Sequence, residues 1–255
     1  MTNNEKNIVK KEQAGSLAIS NLEEDSGKGL SNIGQEDLAL PFLKILGQLS
    51  PEVNKRDGKY VEGAESGMIF NSVTGELFEG SKGIEVVPCH YKLEYIEWKE
   101  RGEGSGAPVA IHPSSSDIMT KTNRDSSFKE RLSNGNYVET AGNHFVIVVE
   151  DEKNGIGQPA LITLKSTQLK KSRKWNSMML NIKIQGSNGP FTPPMYSHLY
   201  RLTTIKEGND FGDWFGINIE KERMLENRTL FNMAKEFADS VTKGEKIAVP
   251  EEIEG

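Results

Sequence analysis

The chain has 255 residues, of which 31 are Lys or Arg and 37 are Asp or Glu, giving a formal charge of −6, and 35% are hydrophobic. That length can bury a full core, while the low apolar fraction implies substantial loop or unfolded chain. Cys89 is the only cysteine and the four histidines are scattered, which excludes an internal disulfide and zinc-finger spacing. No stretch approaches signal-peptide or membrane-span character, so the expectation is a soluble protein of the cytoplasm, or of the host cytoplasm if viral.

Residues 1–37 are rich in Asn, Glu, Lys, Ser and Gly and read as a disordered N-terminal arm. In 38–51, Pro41 at a first turn followed by Phe42, Ile45 and Leu46 predicts a short helix closed by Gly47 and Pro51. Residues 68–73 and 76–78 read as a hairpin around Thr74-Gly75. Residues 83–101 form one long extended run with Tyr91, Leu93 and Tyr95 on one side, and Pro88 implies an edge position or a bend.

Gly, Ser, Asn and Asp dominate 102–143, which reads as a long loop with a helical turn near 126–132. Strands are predicted at 143–151 and 160–165, separated by a turn at Asn154–Pro159. Ser166 or Thr167 then caps a helix whose Trp175, Met178, Met179 and Ile182 make a buried stripe, with Lys170, Lys171 and Lys174 toward solvent. Strands at 195–206 and 213–222 pair around a 207–212 turn, and Asn227 caps a last amphipathic helix within 223–246. An acidic tail, 247–255, follows.

From Gly83 the order is strand, strand, strand, helix, strand, strand, the order of the five-stranded oligonucleotide-binding barrel. The predicted fold is therefore mainly β: such a barrel over 38–222, with an added N-terminal hairpin and the C-terminal helix.

One stretch stands apart in charge. Lys153 to Lys206 contains no acid and nine cations, inside an acidic chain. Positive potential beside flat rings suits a polyanion with π faces, and single-stranded nucleic acid is the commonest such partner. The alternative is a mixed surface in which these cations pair with acids elsewhere in the chain. Lys165, Lys170, Lys171, Arg173 and Lys174 are the expected phosphate contacts, with Arg201 and Lys206 extending the track onto the next strand. Tyr196, His198 and Tyr200, spaced for one strand face, form either a stacking ladder or barrel interior, with a lean to stacking, whereas Trp175 reads as core. Trp98 beside Arg101, and Trp214, are further candidate platforms.

Enzyme signals are thin. Glu97-Trp98-Lys99 has the acid-x-lysine spacing of metal-dependent nucleases, yet Glu85 is the only second acid on that strand and a solvent-facing charge pair is the stronger reading. Cys89 and His90 are neighbours on a strand and point to opposite faces, badly placed as nucleophile and base. No metal or cofactor is expected.

The stretches 166–175, 200–220 and 83–98 resemble a group of tailed-bacteriophage replication proteins associated with single-stranded DNA binding. The resemblance implies an oligonucleotide-binding barrel, a non-enzymatic role in replication or recombination, and recruitment of replication enzymes through an acidic tail. The tail here, residues 250–255, is short and lacks a terminal aromatic. The C-terminal helix is equally consistent with a homodimer contact. The sequence does not separate DNA from RNA, and a metal-dependent nuclease or a virion-associated protein-binding module with a basic face are the rival readings.

Overall fold

The computed structural model describes residues 23–30, 38–100, 102–103, 107–210 and 212–244. Contacts divide the chain at Leu38. Before it, the described residues 23–30 form turns, with Ser26 N–H donating to Glu23 C=O at 3.3 Å and Lys28 N–H to Asp25 C=O at 3.0 Å. Most of the expected N-terminal arm, all of the acidic tail, and Arg101 lie outside the described residues.

Residues 39–244 are mainly β. Three strands, β1 (Leu43–Ile45), β2 (Ile69–Asn71) and β3 (Leu77–Phe78), form a small antiparallel sheet. The main sheet is built on β4 (Ile84–Trp98), with β5 (Ala110–Pro113), β6 (Asn123–Arg124), β7 (Glu130–Arg131), β8 (Tyr137–Asp151) and β9 (Ile156–Lys165). Helix α1 (Leu169–Leu180) follows, then the hairpin β10 (Ile184–Gly186) and β11 (Gly189–Phe191), the long hairpin β12 (His198–Asn209) and β13 (Gly212–Met224), and helix α2 (Arg228–Lys243).

Pairing runs β9-β8-β4-β12-β13, all antiparallel, with α1 between β9 and β12. This is the strand order of the oligonucleotide-binding fold, as a curled half-barrel. Strands β9 and β13 are not paired with each other. Beside β9 lies β1, where Leu161 N–H donates to Pro41 C=O at 2.8 Å and Phe42 bridges Leu161. A cleft of about 300 Å³ opens at this seam, lined in part by Phe42, Ile45, Lys165, Gln168 and Phe215.

Each face of the sheet has its own core, because alternate residues of a strand point to opposite sides. Inside the curl, Val86, Val146, Val148, Ile162, Leu164, Tyr200, Leu202 and Ile217 pack with Trp175 and Met179 of α1. Outside, Val87, Phe145, Ile147, Leu161 and Leu199 lie under Leu230, Ala234, Phe237 and Val241 of α2. Asn227 caps α2 as expected, its Oδ1 accepting Leu230 N–H at 3.0 Å, and Gly244 at φ 73° closes it. The apolar face of α2 is thus buried against its own barrel.

Several expectations change. Residues 43–45 are strand, not helix, since Leu43, Lys44 and Ile45 pair with Asn71, Phe70 and Ile69. Pro88 marks a bend, where the β4–β8 register slips between Pro88 and His90, and it sits where β4 is paired on the β8 side alone, since β12 pairs only Ile84–Val86 and β5 only Glu94–Glu97. The 102–143 loop holds β5, β6 and β7, and β8 begins six residues earlier than predicted. The turn expected near 126–132 is the β6–β7 hairpin, and the helical turn sits instead at Ile118–Lys121. Strand β9 takes in Ile156–Pro159, and the 207–212 turn narrows to Asn209–Gly212 because both strands run on into it.

Candidate nucleic-acid interface

Helix α1 is seated by its buried side. Ser172, Trp175 and Met179 recur at helical spacing and are buried. Trp175 stacks on His144 at 4.5 Å and meets Tyr200 edge-on at 5.7 Å. Ser172 Oγ lies 2.8 Å from His144 Nε2, and Gly142 leaves the room that Ser172 occupies. No Ser166 or Thr167 side chain caps the helix; a 3-10 turn at Ser166–Gln168 leads into it instead.

With that side fixed, Lys170, Arg173, Lys174 and Ser177 fall at i, i+3, i+4 and i+7 on the solvent face and all are exposed. The helix carries no acid. Among the described residues, Lys170, Arg173 and Lys174 have no ion-pair partner. Lys171, expected alongside them, turns inward: its Nζ lies 2.8 Å from Glu207 and donates to Ile217 C=O at 2.8 Å. Gln168 Nε2 at 3.0 Å and Trp214 Nε1 at 3.3 Å also donate to Glu207 Oε2. Burial works against the Glu207 charge, yet these hydrogen bonds, with Lys171 the strongest, hold its carboxyl below the ordinary range. Lys171 and Trp214 are thus brought together, but by a carboxylate that neutralises the one and anchors the other.

Other expected cations are also satisfied. Lys165 pairs with Glu139 at 3.1 Å and stands 5.7 Å over the ring of Trp98, which is itself buried. Arg201 pairs with Glu85 at 2.6 Å and Glu222 at 3.0 Å, and Lys206 with Asp213 at 2.7 Å. The lean toward a stacking ladder at Tyr196, His198 and Tyr200 is overturned. Tyr200 is fully buried in the inner core, and His198 is 7% exposed with Nδ1 2.8 Å from Ser197 Oγ. Tyr196 belongs to a 3-10 turn rather than the strand and packs edge-on against Phe231 at 5.2 Å. The buried rings of Tyr200 and His198 have nothing to offer a base, and Tyr196, half-buried, stands off the strand and so makes no ladder with them.

Glu97 is buried. It accepts from Asn136 Nδ2 at 2.5 Å and Asn134 Nδ2 at 3.3 Å and lies 3.2 Å from His112 Nε2, contacts led by Asn136 that keep its carboxyl below the usual range. Glu85, its expected companion, is held by Arg201 and Arg223. Twelve residues of one strand separate the two carboxylates, roughly 40 Å at about 3.3 Å per residue. Among the described residues no group of three or more His, Cys, Asp or Glu is placed to hold a metal ion.

A family model described as Pam3 phage gp34-like protein matches residues 10–247. The chain belongs to that family. No curated protein and no solved structure matches it. Membership carries a bacteriophage origin, and the gp34-like fold here is the half-barrel described above.

Sequence reasoning missed two features of this gp34-like protein. Glu207, half-buried among Lys171, Gln168 and Trp214, draws in two residues expected at the surface; Trp214 is its cross-strand partner in the β12–β13 hairpin, but Lys171 and Gln168 lie far back in the chain and no local signal marks them. Phe191, on the hairpin that follows α1, is 48% exposed, and the prolines around it in 190–194 are the cue that this segment cannot join the sheet interior.

Proposed function

We propose that this phage protein binds single-stranded DNA without sequence preference during replication or recombination, in the host cytoplasm. The observation that carries the reading is the row Lys170, Arg173, Lys174 on an acid-free helix face, held in place by a buried tryptophan and free of ion pairs among the described residues. The half-barrel strand order and the phage family support it. Residues three or four apart on a helix stand about 5–6 Å apart, close to the reach between successive phosphates of an extended strand. The cations displace counterions, and no bond is made or broken.

Titrating a fluorescent single-stranded oligonucleotide tests this. At about 0.7 in log K per contact per tenfold of salt, removing two contacts costs roughly 25-fold at 0.1 M salt. Lys170→Glu with Lys174→Glu is therefore expected to weaken binding by at least that factor while leaving the melting temperature unchanged, because both side chains are exposed. Wild-type protein that fails to bind the oligonucleotide overturns the proposal, and unchanged affinity in the double variant removes α1 from the site. Running the RNA of the same sequence beside it separates the two nucleic acids.

A further inference from the structure

The β6–β7 hairpin carries a residue that its backbone disfavours. Phe128 adopts φ 63°, in the left-handed region that normally calls for glycine, and the residue is 67% exposed. The hydrogen bonds explain the slot. Asp125 N–H donates to Lys129 C=O at 2.9 Å and Phe128 N–H to Asp125 C=O at 3.0 Å, a tight turn whose fourth residue must be left-handed. Seven residues on, the β7–β8 turn repeats the pattern: Leu132 N–H donates to Asn136 C=O at 2.9 Å and the N–H of residue 135 to Leu132 C=O at 3.1 Å. There the same slot is filled by Gly135, at φ 89°. Both turns are exposed, so the same slot is filled by glycine in one and by a phenylalanine in the other.

The tip is rigidly supported. Asp125 Oδ1 accepts from Ser127 N–H at 2.8 Å and Lys129 N–H at 3.0 Å, while its Oδ2 takes Arg131 Nε at 2.5 Å. Glu100 ties Lys129 at 2.5 Å and Arg131 at 3.3 Å back to the end of β4. The guanidinium of Arg124 stands 5.2 Å from the centre of the Phe128 ring and makes a long, largely exposed pair with Glu130 at 3.8 Å, of a kind that is worth little and opens easily. A large apolar ring held out in water, in an unfavourable backbone state, with a cation beside it, is a recognition element in search of a flat and anionic ligand.

We infer that Phe128 is a stacking platform for a base of single-stranded nucleic acid, with Arg124 taking the adjoining phosphate. The inference rests on the reading above and adds a contact site on a different element from α1. Base stacking on an aromatic side chain sets the scale of the effect, about 5- to 150-fold in affinity.

The decisive variant is Phe128→Gly in the full chain, measured with fluorescent oligothymidylate and by thermal melting. Glycine suits the slot, so the melting temperature is expected to hold or rise while affinity falls by about 5- to 150-fold. Ultraviolet irradiation of the wild-type complex should crosslink thymine to a peptide containing Phe128, located by mass spectrometry. Affinity unchanged in Phe128→Gly but lost in the Lys170→Glu, Lys174→Glu protein overturns the platform and leaves the general reading standing. A fall in melting temperature would mean that the ring serves the fold instead, which also overturns it. Wild-type protein that ignores the oligonucleotide removes both.

Discussion

His144 is where burial has its clearest chemical consequence. Its imidazole is fully buried between Tyr91 and Trp175, and burial pushes its pKa from 6.5 down to about 3. Between those values the unfolded chain binds a proton that the folded chain refuses, so stability is present above pH 6.5 and is lost as pH falls. The slope is about 1.4 kcal/mol per pH unit, which makes the folded state about 2 kcal/mol less stable at pH 5 than at pH 7 from this group alone. Urea unfolding at the two pH values is expected to show the difference, and His144→Gln to remove most of it; an unaltered difference in the variant would place its origin elsewhere. At this scale the sequence was informative about shape and poor about partners. Trp175 reads as core from helical spacing alone, and it is core. The pairing of Lys165, Lys171, Arg201 and Lys206 with Glu139, Glu207, Glu85 and Asp213 depends mostly on strand register across long separations, which local composition does not encode.

The order of strands and the place of α1 were legible because the long elements carry their own patterns, β8 an apolar run at Phe145–Val149, β12 a β-branched and aromatic stretch before the turn, and α1 a stripe at helical spacing. Short elements were not. Residues 43–45 satisfy either period over so few positions, and pairing with β2 decides the outcome; the two-residue strands β6 and β7 carry almost no pattern at all. The seat of α1 on β8 was equally hidden, because it depends on what Gly142 lacks. A Cβ there would stand 2.5 Å from Ser172 Oγ and 3.2 Å from Ser172 Cβ. Gly142→Ala is therefore expected to destabilise the protein by about 1–3 kcal/mol, the usual cost of overpacking, and Ser172→Gly in the same chain to return part of it. Chemical denaturation followed by tryptophan fluorescence measures both. If Gly142→Ala unfolds at the wild-type midpoint, the helix is not held against the sheet as tightly as these distances require.

For the whole molecule the question is how a chain of net charge −6 would hold the proposed polyanion, and salt dependence distinguishes the answers. Nine cations lie between Lys153 and Lys206, and if all of them met phosphates the slope of log K against log salt would be about −6 on a single strand, at about 0.7 per contact. Lys165, Lys171 and Arg201 are already neutralised in partly buried pairs, and breaking one of these to reach a phosphate returns little, whereas Lys206 pairs with Asp213 in the open, where an ion pair is weak. Binding by the α1 row alone involves three contacts and predicts a slope of about −2; opening the exposed pair of Arg124 with Glu130 at the hairpin tip makes it about −3, and opening that of Lys206 with Asp213 as well makes it about −3.5. Fluorescence anisotropy over a range of salt concentrations reads this directly, and Lys170→Glu with Lys174→Glu should bring the slope up by at least about 1.4. A slope near −6 would mean that the internal ion pairs open on binding and that the acid-free stretch acts as one surface. A slope near zero would mean that these cations never meet the phosphates, and the acidic remainder of the molecule would then decide what it attracts.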